Sequence, residues 1–286
     1  MNDLELLPFR LLLDRVLVPA RRHFRQVFLP IAVPVAACSV LAALLQLGWI
    51  NALTGDDLAG VLPMVGGIFM LMVVIMAVYG LGFGALVVAS MDAVAGRPVE
   101  MGRAWLFALR PRVAGTLIVV GICHVLSLLM CLVPVLYVAP ILTFVLPVMV
   151  EENRYGWAAI RRSVELAHDT PTGRWLDSAW PRILVFLIVG MVISYALTLC
   201  VQMPFLVAQQ VLIFREAASG QVADPATLMN STFWLQVPTQ ILGAFATTAA
   251  WLFWSFGISL LYRETRRRRE GDDLRRAIAE LTGAPA

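Results

Sequence analysis

Apolar residues run through this chain in long unbroken blocks, and the polar residues are confined to the gaps between them. A helix needs about 20 consecutive apolar residues to cross the hydrocarbon core of a bilayer. Six blocks reach or approach that length, at residues 28–50, 61–91, 113–133, 136–150, 183–205 and 233–262. The pattern predicts an all-α fold, a polytopic membrane helix bundle with six transmembrane helices. Only Leu132-Val133-Pro134-Val135 separates the third span from the fourth, which predicts a tight hairpin. The fourth span is short and carries Pro140 and Pro147, so it is expected to tilt, re-enter or break. The second is long enough to project beyond the membrane.

Outside the spans, two segments show the 3.6-residue period of an amphipathic helix. Phe9, Leu12, Leu13, Val16 and Leu17 fall on one face near the N-terminus, with Arg10, Asp14 and Arg15 off it and Pro8 suited to a first helical position. Trp157, Ile160, Val164 and Ala167 form a second stripe, with Arg161, Arg162 and Glu165 facing elsewhere. Such helices are expected to lie in the membrane interface, arginines at headgroup level. Between spans five and six, FLVAQQVLIFREAA predicts an extension of helix five, stopped by Ser219-Gly220, and Asp224-Pro225 predicts the start of the next helix. The domain organisation that follows is an N-terminal interfacial segment, 1–27, the six-helix domain, 28–262, and a polybasic tail with a short amphipathic helix, 263–286.

Composition sharpens this picture. The chain has 286 residues, 60% hydrophobic and 14% charged, against about 25% charged for a soluble domain. No stretch outside the spans reaches the roughly 40 residues below which a chain rarely folds without staples. No soluble domain is therefore expected, and the acidic, arginine-interrupted start is not that of a cleavable signal peptide.

The charges are segregated. All 22 basic residues are arginine. Five precede span one, four follow span two, five follow span four and seven follow span six, which leaves Arg215 alone on the opposite side. Basic loops stay in the cytoplasm, so both termini are expected inside, in a bacterial inner membrane. Arg21, Arg22, Arg25, Arg161, Arg162, Arg263, Arg266, Arg267, Arg268 and Arg269 are candidates for contact with lipid headgroups, each contributing about 1 kcal/mol near an anionic leaflet. They also serve simply to fix topology. A nucleic-acid role is not expected, since no folded basic domain supports one.

The intramembrane polar candidates are His124, Asp92 and Glu151. His124 is the one ionisable residue near the middle of a span, fit either to relay a proton or to sit neutral, hydrogen-bonded to a neighbouring helix. Asp92 ends span two and is placed to pair with Arg97 or Arg103. Glu151 and Glu152 stop span four, because ionised carboxylates are costly in hydrocarbon, and they could also bind a cation. Gly80 and Gly84 have the GxxxG spacing that lets helices approach closely, in a dimer seam or an internal contact. Thr239, Gln240, Thr247, Thr248 and Ser255 would line a groove or join helices. Cys38, Cys123, Cys131 and Cys200 lie in apolar runs and suit helix packing. No catalytic motif, metal cluster or cofactor signature occurs, so neither a metal nor a cofactor is expected.

Two segments carry a resemblance. GRPVEMGRAWLFALRPRVAG at 96–115, and the stretch with Pro147, Glu151, Arg161-Arg162-Ser163 and Leu166, resemble a broad family of bacterial six-helix membrane domains, over roughly residues 20–265. In some members that domain is fused to a glycerophosphodiester phosphodiesterase. The catalytic barrel and its acid, base and metal residues are absent here, so the resemblance implies a fold and a membrane setting and carries no activity over. The expectation is a non-enzymatic inner-membrane protein engaging lipids, anionic ones among them, or a membrane-protein partner or second copy. The rival expectations are a transporter or transport accessory for a small amphiphile, and an intramembrane enzyme using His124 with a carboxylate.

Overall fold

The structure, a computed structural model, describes residues 9–53, 61–130, 132–168, 178–218 and 225–282. Those residues form an all-α bundle without strands. The helices are α1 (Phe9–Leu53), α2 (Val61–Val94), α3 (Met101–Ala108), α4 (Pro111–Leu129), α5 (Leu132–Leu142), α6 (Val145–Glu152), α7 (Trp157–Ala167), α8 (Ala179–Ala218) and α9 (Pro225–Thr282). Six stretches among the described residues are long and apolar enough to cross a membrane: Asp14–Leu45, Val73–Val94, Pro111–Leu129, Pro134–Glu152, Ala179–Arg215 and Trp234–Gly271.

The helices run past the boundaries that hydropathy suggests. The N-terminal amphipathic segment and span one are one helix, and span six continues without a break through the arginine tail. The arginines at both junctions are good helix formers, and α1 runs on through Pro19, Pro30 and Pro34 although each lacks a backbone donor. In the first segment Val16 is buried and Leu17 is 55% exposed; the side chains of Phe9, Leu12 and Leu13 lie outside the described residues. The extension of helix five is present as the end of α8, and Pro225 opens α9. Ser219, Gly220 and Asp224 lie outside the described residues, as do Cys131 and the segment 169–177.

Span four is broken, into α5 and α6. Pro140 lies inside α5. At the break Thr143 donates its hydroxyl to the Ala139 carbonyl, 2.7 Å away. A helix end leaves carbonyls without intrahelical partners, and the Ser163 hydroxyl of α7 donates to one of them, Ile141 O. The hairpin from span three turns earlier than predicted, next to Met130, and Leu132–Val135 already belong to α5. Pro134 is tolerated there because the first turn of a helix needs no donor from it.

The chain divides into two compact units. The first comprises 1–27, 83–191 and 251–286. Its core packs Met91 of α2, Val113 of α4, Phe144 and Met149 around α6, Leu166 of α7, and Phe186 and Tyr262 of α8 and α9. Here α8 and α9 interlock. A Cβ at Gly257 would overlap the Phe186 ring, and a Cβ at Gly190 would overlap the Trp254 indole. Each helix thus offers a glycine to the other's aromatic ring, the close approach that small residues permit between membrane helices. Beside this crossing Ser90 of α2 lies 2.7 Å from Ser259 Oγ and 3.0 Å from the Ser255 carbonyl.

The second unit comprises 28–82 and 192–250. Ile31, Val35 and Ala43 of α1 and Ala244, Ala246 and Ala250 of α9 are buried in it. Ser39 and Tyr79 share a hydrogen bond of 2.6 Å between α1 and α2, the Phe28 and Phe245 rings meet at 5.6 Å, and Gln202 of α8 fills the space that Gly243 of α9 leaves open.

Candidate functional site

The most chemically dense place in the first unit is the C-terminal end of α6. The apolar helix Val145–Glu152 stops at Asn153, whose left-handed conformation (φ 52°, ψ 30°) suits a terminating asparagine. Gly156 follows with φ 60°, a backbone setting that favours glycine. Its N–H donates to Thr116 Oγ1 of α4 at 2.9 Å, and Thr116 donates in turn to Arg112 O at 2.7 Å. This turn fixes where α7 begins, and with it the position of Arg162.

Two adjacent carboxylates then gather arginines from distant parts of the sequence. Glu151 accepts from Arg263 at 3.1 Å, Arg266 at 3.4 Å and Arg97 at 3.4 Å. Glu152 accepts from Arg162 Nε at 3.1 Å to each of its oxygens, from the Tyr262 hydroxyl at 3.1 Å, and pairs with Arg154 at 3.3 Å. Arg97 is shared: its Nε lies 2.9 Å from Asp92, which is buried. Arg263 also donates to the Val94 carbonyl at 2.9 Å, one of the orphaned acceptors at the end of α2. The ends of α2 and α6 and the middles of α7 and α9 are therefore held by one ion-pair network.

The network sorts the sequence-predicted candidates. Arg162, Arg263 and Arg266 are engaged by Glu152 and Glu151 and are only 15%, 24% and 30% exposed at the side chain. Arg161 pairs with Glu165 within its own helix and is 76% exposed. Arg21, Arg22 and Arg25 of α1 and Arg267 of α9 are exposed, while Arg268 and Arg269 are half-buried. Asp92 has Arg97, one of its two expected partners. The two glutamates end a membrane-compatible helix as expected, and each also has arginine partners. The described residues contain no cluster of metal-ligating side chains.

His124 bonds within its own helix. Its Nδ1 lies 2.9 Å from the Val120 carbonyl one turn back, where a neighbouring helix was expected. A Cβ at Gly84 would meet Leu117, Ala108 and Leu146 at van der Waals distance, all within the first unit, whereas one at Gly80 would face open space among the described residues. Thr239 and Thr248 each donate to the carbonyl four residues earlier in α9. The stripe on α7 is also corrected. Trp157 points outward, and the buried face is Ala159, Ile160, Ser163, Leu166 and Ala167. Ser163 is drawn inward by the Ile141 carbonyl, which rotates the helix away from its purely apolar orientation.

Two features escaped sequence reasoning. The short helix α3 has Ala104 and Ala108 buried, Met101, Trp105 and Phe107 half-buried, and Gly102, Arg103 and Leu106 exposed; its i, i+4 alanines are a faint signal within a charged segment. Tyr137 of α5 lies 2.9 Å from His168 Nε2, and His168 Nδ1 lies 3.0 Å from Val164 O, so one imidazole tautomer satisfies both contacts.

No family model, no curated protein and no solved structure matches this chain.

Proposed function

We propose that this chain is a non-enzymatic protein of a bacterial inner membrane, with both termini cytoplasmic, that engages lipids or a membrane-protein partner through its arginine-rich inner face. The observation that carries the reading is the division of the arginines. One set is spent on Asp92, Glu151 and Glu152 and holds helix ends together. Another set, with Arg21, Arg22 and Arg25 among it, stands exposed. An exposed guanidinium next to an apolar surface is suited to a phosphate-bearing headgroup. The resemblance to six-helix membrane domains is proposed on the same footing and implies the same setting.

Against an intramembrane enzyme stand the partners of its intended residues. His124 is bonded to Val120 O, Asp92 to Arg97, and Glu151 to three arginines. The broken span four favours a transporter reading, because interrupted helices often line cavities. Here, however, Phe144, Val145, Leu146, Val148 and Met149 around the break are buried, and the freed Ile141 carbonyl is already taken by Ser163.

Native mass spectrometry of the gently solubilised full chain tests the reading. Retention of phosphatidylglycerol or cardiolipin over phosphatidylcholine is expected. Equal retention of anionic and zwitterionic lipids would overturn the lipid-engaging reading.

A further inference from the structure

We infer that the exposed face of α3 and the start of α4 form a docking surface for anionic phospholipid, with Arg103, Arg110 and Arg112 meeting the phosphates and Leu106 and Leu109 entering the acyl boundary. The inference rests on the lipid-engaging reading above and assigns it to residues that the sequence did not single out for this role.

The first observation is electrostatic. Arg103, Arg110 and Arg112 are exposed, and none has a carboxylate partner among the described residues. The arginines of α7, of α9 and of the turn between α6 and α7 include several that do have such partners: Arg154, Arg161, Arg162, Arg263 and Arg266 are each in an ion pair. The one described interaction of an α3–α4 guanidinium with a side chain is apolar on its other partner, Arg110 lying 5.2 Å from the centre of the Phe107 ring. That contact orients the cation and leaves its hydrogen-bonding edge open. Three uncompensated positive charges within ten residues make a surface that complements an anionic leaflet.

The second observation is the company these arginines keep. α3 buries Ala104 and Ala108 and turns its other side outward. On that side Leu106 is 69% exposed and Leu109 is 54% exposed. Arg103 and Leu106, three residues apart, share one face of α3, and Arg110 follows in the extended turn that opens α4. Leucines exposed to this degree are unfavourable in water and favourable at a headgroup–acyl boundary, where each long arginine stem also lies along apolar surface while its charge reaches the phosphates. The same pairing of apolar bulk with arginine recurs on α7, where Trp157 is 76% exposed one turn from Arg161. The interleaving of cation and apolar bulk on a helix this short suits the boundary between headgroups and acyl chains.

The test uses the full chain in detergent, titrated with phosphatidylglycerol and separately with phosphatidylcholine, and counts bound lipids by native mass spectrometry. Three variants are compared with the unaltered protein: R103Q/R110Q/R112Q, its charge-keeping counterpart R103K/R110K/R112K, and R21Q/R22Q/R25Q on α1. The glutamine variant on α3–α4 is expected to lose at least half of the phosphatidylglycerol adducts and none of the phosphatidylcholine adducts, with binding largely restored by lysine and retained in the α1 variant. If the α1 variant loses the adducts and the α3–α4 variant keeps them, this assignment is overturned and the broader reading stands. If phosphatidylglycerol binds preferentially and no variant changes that binding, this assignment falls and the broader reading stands; if phosphatidylglycerol never binds preferentially, both fall. Should the triple variant fail to fold, Arg103→Gln alone carries the test, with loss of a measurable fraction of adducts expected and no change overturning the assignment.

Discussion

Arg263 holds two helix ends at once: its guanidinium donates to the Val94 carbonyl at 2.9 Å and to Glu151 at 3.1 Å. Arg97, at the end of α2, reaches the same Glu151 oxygen at 3.4 Å. One carboxylate thereby neutralises cations that are 54 and 112 residues distant in sequence. Without it, three guanidinium groups would face one another in a partly enclosed site.

Glu151→Gln is therefore expected to destabilise the first unit well beyond the loss of one surface ion pair. Breaking a buried pair from one side costs about 3–5 kcal/mol, and partial exposure of the arginines reduces this to roughly 2 kcal/mol. Glu165→Gln removes only pairs within its own helix, worth about 0.3–0.5 kcal/mol each. Thermal unfolding in detergent should separate the two variants clearly. Equal melting temperatures would mean that the network at Glu151 holds nothing together.

The aromatic-on-glycine crossing of α8 and α9 makes a second, independent prediction. Gly257→Ala and Gly190→Ala each place a methyl group where Phe186 or Trp254 now lies, so each should cost about 1–3 kcal/mol by overpacking. Gly121→Ala, in open space on α4, should be neutral or slightly stabilising because alanine is the better helix former. Combining Gly257→Ala with Phe186→Leu should recover part of the loss. A Gly257→Ala protein that melts at the same temperature as the Gly121→Ala protein would contradict the close crossing.

Ser90 and Ser259 offer a smaller effect that a double-mutant cycle can read. Their hydroxyls lie 2.7 Å apart and are fully buried. Hydrogen bonds between membrane helices average about 0.6 kcal/mol of coupling. The Ser90→Ala, Ser259→Ala cycle should return a value of that order and favourable sign, whereas Ser90→Ala with Thr116→Ala, which shares no bond, should be additive. Additivity in the first pair would show that the two hydroxyls do not bond to each other, leaving Ser90 to the Ser255 carbonyl.

Much of this fold was legible because a bilayer forces long apolar helices and punishes charge within them. The break in span four was visible as Pro140 and Pro147, and the helix end at Glu151 as ionised carboxylates. The partners of those carboxylates were not. Nothing local links Glu152 to Tyr262, 110 residues away; only the packing of α6 on α9 brings them together. Gly190 and Gly257 were hidden for the same reason, since they sit opposite aromatic rings of another helix while the more conspicuous Gly80 faces open space. The orientation of α7 was misread because its Ser163 is buried to satisfy a carbonyl that exists only where α5 breaks. Hydropathy describes how a residue meets solvent, and these residues answer to one another.

The proposed orientation makes the final prediction. In that orientation twenty-one of the 22 arginines fall on the cytoplasmic side and Arg215 alone on the other. The rule counts basic residues near span ends, whether or not they are paired with carboxylates, so the salt bridges of Arg97, Arg162 and Arg263 do not weaken it. A fluorescent protein fused after Ala286 should fluoresce, since it folds in the cytoplasm. Alkaline phosphatase, which needs an oxidising compartment for its disulfides, should be active when fused after Arg215 and inactive when fused after Arg110 or Arg162. An active fusion at Arg110 with an inactive one at Arg215 would invert the topology and move the arginine surface away from the anionic cytoplasmic leaflet. The lipid-engaging proposal would then lose its electrostatic basis.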